Sequence, residues 1–397
     1  MVDALILLGV VLTGALLAWP RLANAPLWRA TITPLASIIG SGFLVLGPIL
    51  DVSYGAYAPL VMLALCLTAH LFGWAIRFNI KRINTTAERA PLAQQAERMA
   101  SGILAFAYVI SVTYYLNLFG AFGVSLSALD DTQSAKLLTT AVFLVILAVG
   151  WLRGFSALER VEQISVALKL SIIMGLLVGL SIHFAQTARA DALLIHSPVV
   201  SGWQAVMLAA GLIVTVQGFE TSRYLGDTYD AATRVRSMKL AQWISAAIYM
   251  TYIGLLTYAF DTKVLSLDET SIIDLMDVVA PILPVLLVAA ALSAQLSAAV
   301  ADTGGSGGLI GELSGGKIPT KLAYLIIVGF GLFLTWTANI FEIISYASRA
   351  FAAYYAIQAG IAAVSAHASD KPLKATVFGL IALVGVLAMV FGTPVEQ

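Results

Sequence analysis

Two apolar stretches of this sequence are interrupted by residues at which a helix could unwind, and an unwound backbone has free N–H and C=O groups that can bind a ligand. The first is SIIGSGFLVLGP at residues 37–48, where a Gly-Ser-Gly triplet and a proline lie among apolar residues. Glycine costs about 1 kcal/mol in a helix interior, so a segment that only crosses a bilayer would favour Leu or Ala here. If the helix unwinds, the next half-helix begins with free N–H groups, and its positive dipole end suits a carboxylate. The N–H groups around Ser41, Gly42 and Phe43 would bind the anion, and the candidate substrate-binding residues of this stretch are Ile39, Gly40, Ser41, Gly42 and Phe43.

The second interruption is VTVQGFETSRYLG at residues 214–226, inside a span that is otherwise as apolar as the first. Carbonyl groups released there would end a half-helix, whose negative end suits an ammonium group. The candidate residues are Val214, Thr215, Gln217, Gly218 and Glu220. Together the two interruptions would bind a zwitterion. Two alternatives stay open: the glycines of the first run form a small-residue packing face, and Gln217 makes an interhelical hydrogen bond.

Lys169 lies well inside an apolar span, near the expected bilayer midplane, where an ionised side chain is costly. A low-dielectric environment favours the neutral form of a lysine, so this group could exchange a proton at ordinary pH. We expect Lys169 to lie near the Gly40 backbone and to couple proton binding to closure. The alternative is a constant salt bridge, for example to Glu220.

Arg349 is the other cation expected inside a span, and a gating salt bridge to Glu220 or Glu342 is its favoured role over a substrate contact. Tyr108, in the same span as Tyr114 and Tyr115, is a candidate substrate contact, although tyrosines in a span are often packing residues.

A sodium site is the alternative to proton coupling. Ser293 and Ser297 have hydroxyls four residues apart and could bind sodium together with carbonyls near Ser37. Hydroxyl bonding to the preceding helical turn is the commoner role of such serines. No cofactor or other metal site is expected.

The composition places these residues in a membrane protein. Of the 397 residues, 60% are hydrophobic and 11% charged, and the mean hydropathy is +0.91. Most side chains of such a chain cannot face water. The 22 basic and 22 acidic residues cancel, so no basic field would attract nucleic acid. The single cysteine excludes an internal disulfide and a thiolate metal site.

Runs long enough to cross about 30 Å of hydrocarbon predict twelve transmembrane helices in an all-α polytopic fold. They lie near residues 3–20, 30–52, 55–80, 99–128, 134–152, 157–185, 200–224, 238–260, 273–303, 320–337, 340–367 and 373–392.

The positive charges support this number of spans. Alternate loops carry 17 of the 22 Lys and Arg residues, the opposite loops carry 3, and two lie inside spans. Because cytoplasmic loops hold the excess of Lys and Arg, the N-terminus is predicted outside and the loop at 81–98 inside. The protein is expected in the cell (inner) membrane as a multi-pass protein.

The interruptions divide the chain into two similar halves. Residues 30–185 and 200–367 each contain five spans, the first span of each is interrupted, and the two halves have opposite orientation. Interrupted spans at matching positions of inverted halves indicate a transporter site near the midplane. Residues 1–29 would form an extra N-terminal helix and loop, and residues 368–397 the last helix.

These motifs carry a family resemblance that covers roughly residues 30–390. ATITPLASIIGSGFLVLGPIL (30–50) resembles the first repeat helix of the amino acid, polyamine and organocation (APC) transporters. The stretch from residue 214 to 250 resembles their sixth helix and the following loop. LERVEQISVALKLSIIMGLLVGL (158–180) is similar to their fifth helix, and SGGKIP (314–319) to a loop after the eighth.

This resemblance implies a LeuT-type 5+5 inverted repeat and a secondary active transporter, most often of an amino acid. It also implies that Lys169, which matches a lysine of proton-coupled members, takes the place of a sodium ion. Two features depart from the family pattern: the extra N-terminal helix, and TGGSGGLIGE at 303–312. The glycine-rich run is predicted to be a flexible cytoplasmic loop.

An enzyme is not expected, because the four histidines are scattered and the sequence contains no HExxH motif. The expected partners are a small-molecule substrate and the lipid bilayer. The alternatives are a sodium-coupled or inorganic-ion transporter of the same fold, or a non-transporting receptor on this scaffold.

Overall fold

The computed structural model of the protein describes residues 1–40, 42–83, 91–153, 159–226, 228–261 and 268–395. No residue in these ranges lies in a β-strand. The α-helices in chain order are α1 (Val2–Ala18), α2 (Pro20–Ala23), α3 (Pro26–Gly40), α4 (Phe43–Tyr54), α5 (Ala58–Ile83), α6 (Pro91–Val124), α7 (Thr132–Arg153), α8 (Glu159–Arg189), α9 (Gly202–Gly211), α10 (Ala231–Leu256), α11 (Ser271–Val279), α12 (Leu283–Leu313), α13 (Thr320–Thr337), α14 (Ile340–His367) and α15 (Pro372–Phe391).

The helices agree with the predicted number of spans. If α3 and α4 count as one span, and α9 counts with the turns that follow it, the long helices of the described ranges form twelve spans. Seven helical stretches of these ranges meet a strict test of length and hydropathy for crossing a membrane. The chain is therefore a multi-pass membrane protein, as predicted.

Local sequence signals fix several helix ends. Pro284 and Pro372 lie in the first turns of α12 and α15, where a missing N–H costs little. Asn339 and Glu342 form a capping box at the start of α14: the Asn339 side chain accepts from the Glu342 N–H at 2.9 Å, and the Glu342 carboxylate accepts from the Asn339 N–H at 2.8 Å.

Both predicted interruptions are real breaks in the helices. The first separates α3 from α4 at Gly42, which has φ +128°. At the second, α9 ends at Gly211 and a 3₁₀ turn continues over Ile213–Val216. Gly218 follows with φ +114°, and a second 3₁₀ segment spans Phe219–Tyr224. Glycine adopts these angles without the steric cost that a Cβ atom would add.

The extra N-terminal helix packs on α8, the helix that carries Lys169. A Cβ atom at Gly9 would lie 3.3 Å from Val178, and one at Gly175 would lie 3.3 Å from Ile6. Small residues on both helices thus allow close approach of their backbones, as is common between membrane helices.

The glycine-rich run at 303–312 is helical, so the prediction of a flexible loop was wrong. It forms the last turns of α12, which ends at Leu313. Ser306 donates a hydrogen bond to the Ala105 carbonyl of α6 at 3.0 Å, and a Cβ atom at Gly305 would lie 3.5 Å from the Tyr108 ring. Packing of α12 against α6 compensates for the low helix propensity of the glycines.

Candidate functional site

The two helix breaks meet each other inside the bundle. A Cβ atom at Gly218 would lie 2.7 Å from the Ile38 nitrogen, so the second break touches the last turn of α3. Tyr249 of α10 joins them, because its hydroxyl lies 3.0 Å from the Ile38 carbonyl oxygen and 2.6 Å from that of Thr215. Backbone groups released by both breaks therefore share one buried region.

At the first break, the start of α4 lies against the side chain of a tyrosine. Ile39, Gly40, Gly42 and Phe43 are buried, and Ser41 lies outside the described residues. A Cβ atom at Gly42 would collide with the Tyr114 hydroxyl of α6, so this hydroxyl lies directly over the break. The positive end of α4 and a tyrosine hydroxyl thus face the same point, and both can donate hydrogen bonds to an anion.

The second break carries polar side chains with unused acceptor atoms. The Gln217 amide nitrogen donates to the Tyr115 hydroxyl at 2.9 Å. One carboxylate oxygen of Glu220 accepts from the Gly218 N–H at 3.0 Å and from the Tyr355 hydroxyl at 2.7 Å. The other Glu220 oxygen and the Gln217 amide oxygen are buried and accept no hydrogen bond from the described part of the chain.

The backbone of the second break is also held by side chains of neighbouring helices. The Val214 N–H donates to the Ser348 hydroxyl of α14 at 2.9 Å, and the Thr215 carbonyl is occupied by Tyr249. Of the carbonyls predicted to hold an ammonium group, Thr215 is therefore already paired with a protein hydroxyl in this conformation.

Lys169 connects α8 to the first broken helix. Its side chain is 1% exposed, and its ammonium group donates to the Ala36 carbonyl at 2.6 Å. A Cβ atom at Gly40 would lie 3.7 Å from the Lys169 nitrogen, as the sequence predicted for this pair. A cavity of about 20 Å³ lies beside Lys169, between Gly40, Ala294 and Gln295. This volume is enough for about one water molecule.

The three serines of the sodium alternative make separate contacts. Ser165 donates to the Ser293 carbonyl at 2.9 Å, and the two hydroxyls lie 2.7 Å apart. Ser37 faces Gly218 across the junction of the breaks, and Ser297 is buried in α12. Of these residues, the structure places Ser37 at the breaks and Ser293 against α8.

Tyr108 and Arg349 each contact neighbouring helices. Tyr108 packs edge-on against Phe351, with ring centroids 6.0 Å apart, and next to Gly305. Arg349 is exposed on the outer face of α14, and its Nε atom donates to the Met389 carbonyl of α15 at 2.7 Å. The gating role of Arg349 stays a prediction.

An ion pair ties the second break to the bundle on the side predicted to face the cytoplasm. Arg223 pairs with Glu97 at the start of α6. Arg223 also donates to the Gln358 amide oxygen of α14 at 2.6 Å, and Asn79 of α5 donates to the same oxygen at 2.9 Å. Four elements are thereby held together beneath the breaks.

An acidic cluster lies at the opposite end of the bundle. Asp130 and Asp131 follow α6, Asp268 and Glu269 precede α11, and Asp274 lies in α11. Burial, and then repulsion from its acidic neighbours, raises the pKa of Asp130. Burial is also the main cause that raises the pKa of Glu269. The cluster gives this end of the bundle a negative potential.

Sequence reasoning missed several residues that build this region. Asp302 of α12 is buried and accepts a hydrogen bond from the Ser111 hydroxyl of α6. An acidic residue inside a predicted span is a signal that could have found Asp302. Tyr249 and Tyr355 carry no comparable signal, since tyrosines are common in membrane helices.

Comparison with known proteins identifies the architecture. A family profile described as "APC superfamily transporter" matches residues 20–392. A protein of Aquifex aeolicus (strain VF5), described as "Uncharacterized protein", is 40% identical over 388 residues, which cover 95% of this chain and 93% of that protein. The chain is also similar to the structure of Mhp1, a nucleobase-cation-symport-1 family transporter, in a closed conformation with bromovinylhydantoin bound. The TM-score is 0.59 at 11% identity, over 92% of this chain and 90% of that one, which establishes a LeuT-type fold.

Proposed function

This chain belongs to the APC superfamily of transporters, and we propose that it moves amino acids or related small amine-containing solutes by alternating access, coupled to protons through Lys169. The observation that carries the proposal is the meeting of two helix breaks next to a buried lysine. We further propose that the protein lies in the inner membrane with its N-terminus outside, because 17 basic residues lie in one set of loops and 3 in the other.

The two breaks offer complementary groups to a zwitterion. The N-terminal end of α4 at Gly42 and Phe43, beside the Tyr114 hydroxyl, suits a carboxylate. The unused oxygens of Gln217 and Glu220 suit an ammonium group, which carries three N–H donors and no acceptor. An amino acid is the smallest common solute that supplies both groups.

Lys169 is suited to link protonation to the position of α3. A charged ammonium makes a stronger hydrogen bond to the Ala36 carbonyl than a neutral amine does, so protonation holds α3 against α8. Loss of the proton weakens this bond and frees α3, the half of the broken span predicted to face the cytoplasm. The small cavity beside Lys169 has room for about one water molecule, which would exchange the proton with the lysine.

Transport in proteoliposomes tests this proposal. The purified protein is assayed for counterflow with a panel of labelled amino acids and amines, and then for uptake driven by an inward proton gradient without sodium. Saturable counterflow and stimulation by the gradient are expected. Uptake that requires sodium would favour the sodium-coupled alternative, and binding without uptake would favour a receptor.

The variant Lys169→Met tests the coupling role, with Lys136→Met as the matched control. Lys136 lies over the Trp336 ring, 6.0 Å from its centroid and away from the breaks. Lys169→Met should keep counterflow but lose stimulation by the proton gradient, whereas Lys136→Met should behave as the wild type. An unchanged pH dependence in Lys169→Met would remove the proton role of this residue.

A further inference from the structure

We infer that Asp51 is a second proton-binding site, and that its protonation holds α4, the half of the broken span predicted to face outside, in the packed position described above. Asp51 lies eight residues after Phe43, or about 12 Å along α4 from the first break. The inference goes beyond the proposed function, since it concerns a group away from Lys169 and depends on no particular substrate.

The first observation is a buried carboxylate without a partner. Asp51 is 1% exposed, and both of its carboxylate oxygens accept no hydrogen bond from the described part of the chain. The other two buried carboxylates of the described residues, Glu220 and Asp302, each accept at least one. An ionised carboxylate is costly in such a place unless it is paired, so the neutral, protonated form is favoured at Asp51.

The second observation is that basic side chains are missing from the described surroundings of Asp51. The helices α5, α10 and α11 pack on α4. No Lys or Arg occurs in the described residues of α4, of the facing halves of these helices and of the loop before α9, which are residues 43–69, 190–201, 245–261 and 268–279. The histidine in these ranges is His196, and its ring bonds to the Phe260 carbonyl at 3.1 Å. An ionised Asp51 would therefore have no counter-ion among them.

The acidic and neutral titratable groups of the same elements do not supply one either. Asp274 and Asp277 of α11 are exposed, as is Tyr57 in the turn that follows α4. Tyr54 donates its hydroxyl to the Ala205 carbonyl at 2.7 Å. Cys66 of α5 is a free, buried thiol.

Tyr252 of α10 shares the face of α4 on which Asp51 lies. A Cβ atom at Gly47 would collide with the Tyr252 hydroxyl, and Asp51 lies one helical turn further along α4. This hydroxyl donates to the Leu44 carbonyl at 3.2 Å and interacts electrostatically with Asp51. Because a tyrosine hydroxyl carries no positive charge, it cannot replace the missing counter-ion.

The third observation is a cover over the end of α4. The N–H groups of Val199 and Val200 donate to the Ser53 carbonyl at 3.0 and 3.1 Å. A Cβ atom at Gly55 would collide with the backbone of His196, so the loop before α9 lies directly against the end of α4. The end of α4 that carries the buried carboxylate is thus covered on the side predicted to face outside.

Opening of this side gives the carboxyl access to water. When α4 leaves the loop and α11, the protonated carboxyl can release its proton to external water and ionise. The carboxylate must take a proton back before α4 can pack again, since the packed position offers it no partner. Protonation therefore favours the packed position, which is lost as the pH rises, and one such group changes the ratio of the two positions by up to about tenfold per pH unit.

A metal ion is the other ligand that a buried carboxylate could hold. Hard cations need several oxygen ligands. Of the neighbouring oxygens, the Ser53 carbonyl already accepts two N–H groups, and the Tyr252 hydroxyl donates to Leu44. A proton needs no further ligand, so it suits this site better.

Infrared difference spectroscopy on the purified full-length protein in nanodiscs tests the protonation of Asp51. A protonated carboxyl has a C=O stretching band that is separate from the bands of an ionised carboxylate. The wild-type spectrum minus that of Asp51→Asn should contain one protonated carboxyl near pH 7. The control Asp277→Asn, which changes an exposed group of α11, should instead show the loss of an ionised carboxylate.

Hydrogen–deuterium exchange of residues 43–54 then tests the effect on α4. Asp51→Asn imitates the neutral carboxyl at every pH, so its α4 should stay protected. The ratio of the wild-type exchange rate to the Asp51→Asn rate, taken at the same pH, should rise by up to about tenfold per pH unit, and Asp277→Asn should follow the wild type. Asp51→Leu, which is also uncharged, replaces Asp51→Asn in both measurements if the latter fails to fold.

Three results would overturn the inference. A difference spectrum without a protonated carboxyl would show that Asp51 is ionised and paired. An exchange ratio that stays constant between pH 6 and pH 9 would show that its protonation does not hold α4. Loss of the acid band when sodium replaces choline in the buffer would assign the carboxyl to a metal ion. Neither measurement uses a substrate, so a failure of counterflow would refute the proposed function and leave this inference standing.

Discussion

Substitution of Gly218 by alanine tests the meeting of the two breaks, on which the functional site depends. Gly218 has φ +114°, an angle that costs a residue with a side chain about 1–3 kcal/mol. The added Cβ atom would also lie 2.6 Å from the Ser37 Cβ atom and 2.7 Å from the Ile38 nitrogen. Overpacking of this kind costs about 1–3 kcal/mol, because α3 or the second break must move. The expected destabilisation is therefore about 2–6 kcal/mol.

Thermal unfolding of the purified protein measures this cost, and Gly254→Ala is the matched control. Gly254 lies inside α10, and nothing lies within 4 Å of the position of its Cβ atom. Gly254→Ala should raise stability by about 0.5–1 kcal/mol, since alanine is the better helix former. Gly218→Ala should lower the Tm and abolish ligand binding. If Gly218→Ala kept the Tm and the ligand affinity of the wild type, the two breaks would not touch as described.

Three further predictions follow from contacts around the site. Tyr249→Phe leaves the carbonyls of both breaks without their shared donor and should lower stability by about 1–3 kcal/mol in thermal unfolding. Tyr252→Phe, which loses one bond of 3.2 Å, should cost less, and an equal cost would argue against the shared role. Glu97→Gln removes the charge that Arg223 pairs with, so hydrogen–deuterium exchange of residues 219–224 should become faster than in the wild type; unchanged exchange would contradict a closing role for this pair. Because the pKa of Glu269 is raised, its ionisation destabilises the folded state above the ordinary glutamate pKa, so Glu269→Gln should raise the Tm near pH 8. The gain should disappear near pH 3, where the carboxyl is protonated in both states, and a gain that is equal at both pH values would exclude this cause.

Contacts at the second break explain why its exact geometry differs from the expected half-helix. The sequence placed the free carbonyls near residues 214–217, whereas α9 already ends at Gly211 and the chain continues as 3₁₀ turns. Tyr249 and Ser348 satisfy backbone groups that the irregular segment leaves unpaired. Both side chains come from helices distant in sequence, so local propensity could not predict where α9 ends.

The glycine-rich end of α12 illustrates the opposite error. Five glycines within residues 303–312 favour a loop by propensity alone. In the folded protein the same glycines allow α12 to approach α6, and Ser306 bonds to the Ala105 carbonyl. The prediction failed because helix packing between distant segments outweighs a local preference.

The sequence alone determined the membrane class, the approximate positions of the twelve spans and the locations of both breaks. These features depend on composition, hydropathy and glycine, which act locally and can be read along the chain. It also predicted that Lys169 is buried near Gly40, because an ionisable residue in an apolar span faces the interior of the helix bundle rather than the lipid. Only the tertiary structure decided that Tyr249 joins the two breaks, that Asp302 accepts a hydrogen bond from Ser111 of α6 and that Arg349 faces outward. Each of those outcomes depends on which faces of separate helices meet, and the sequence periodicity of a mostly apolar helix does not specify that face.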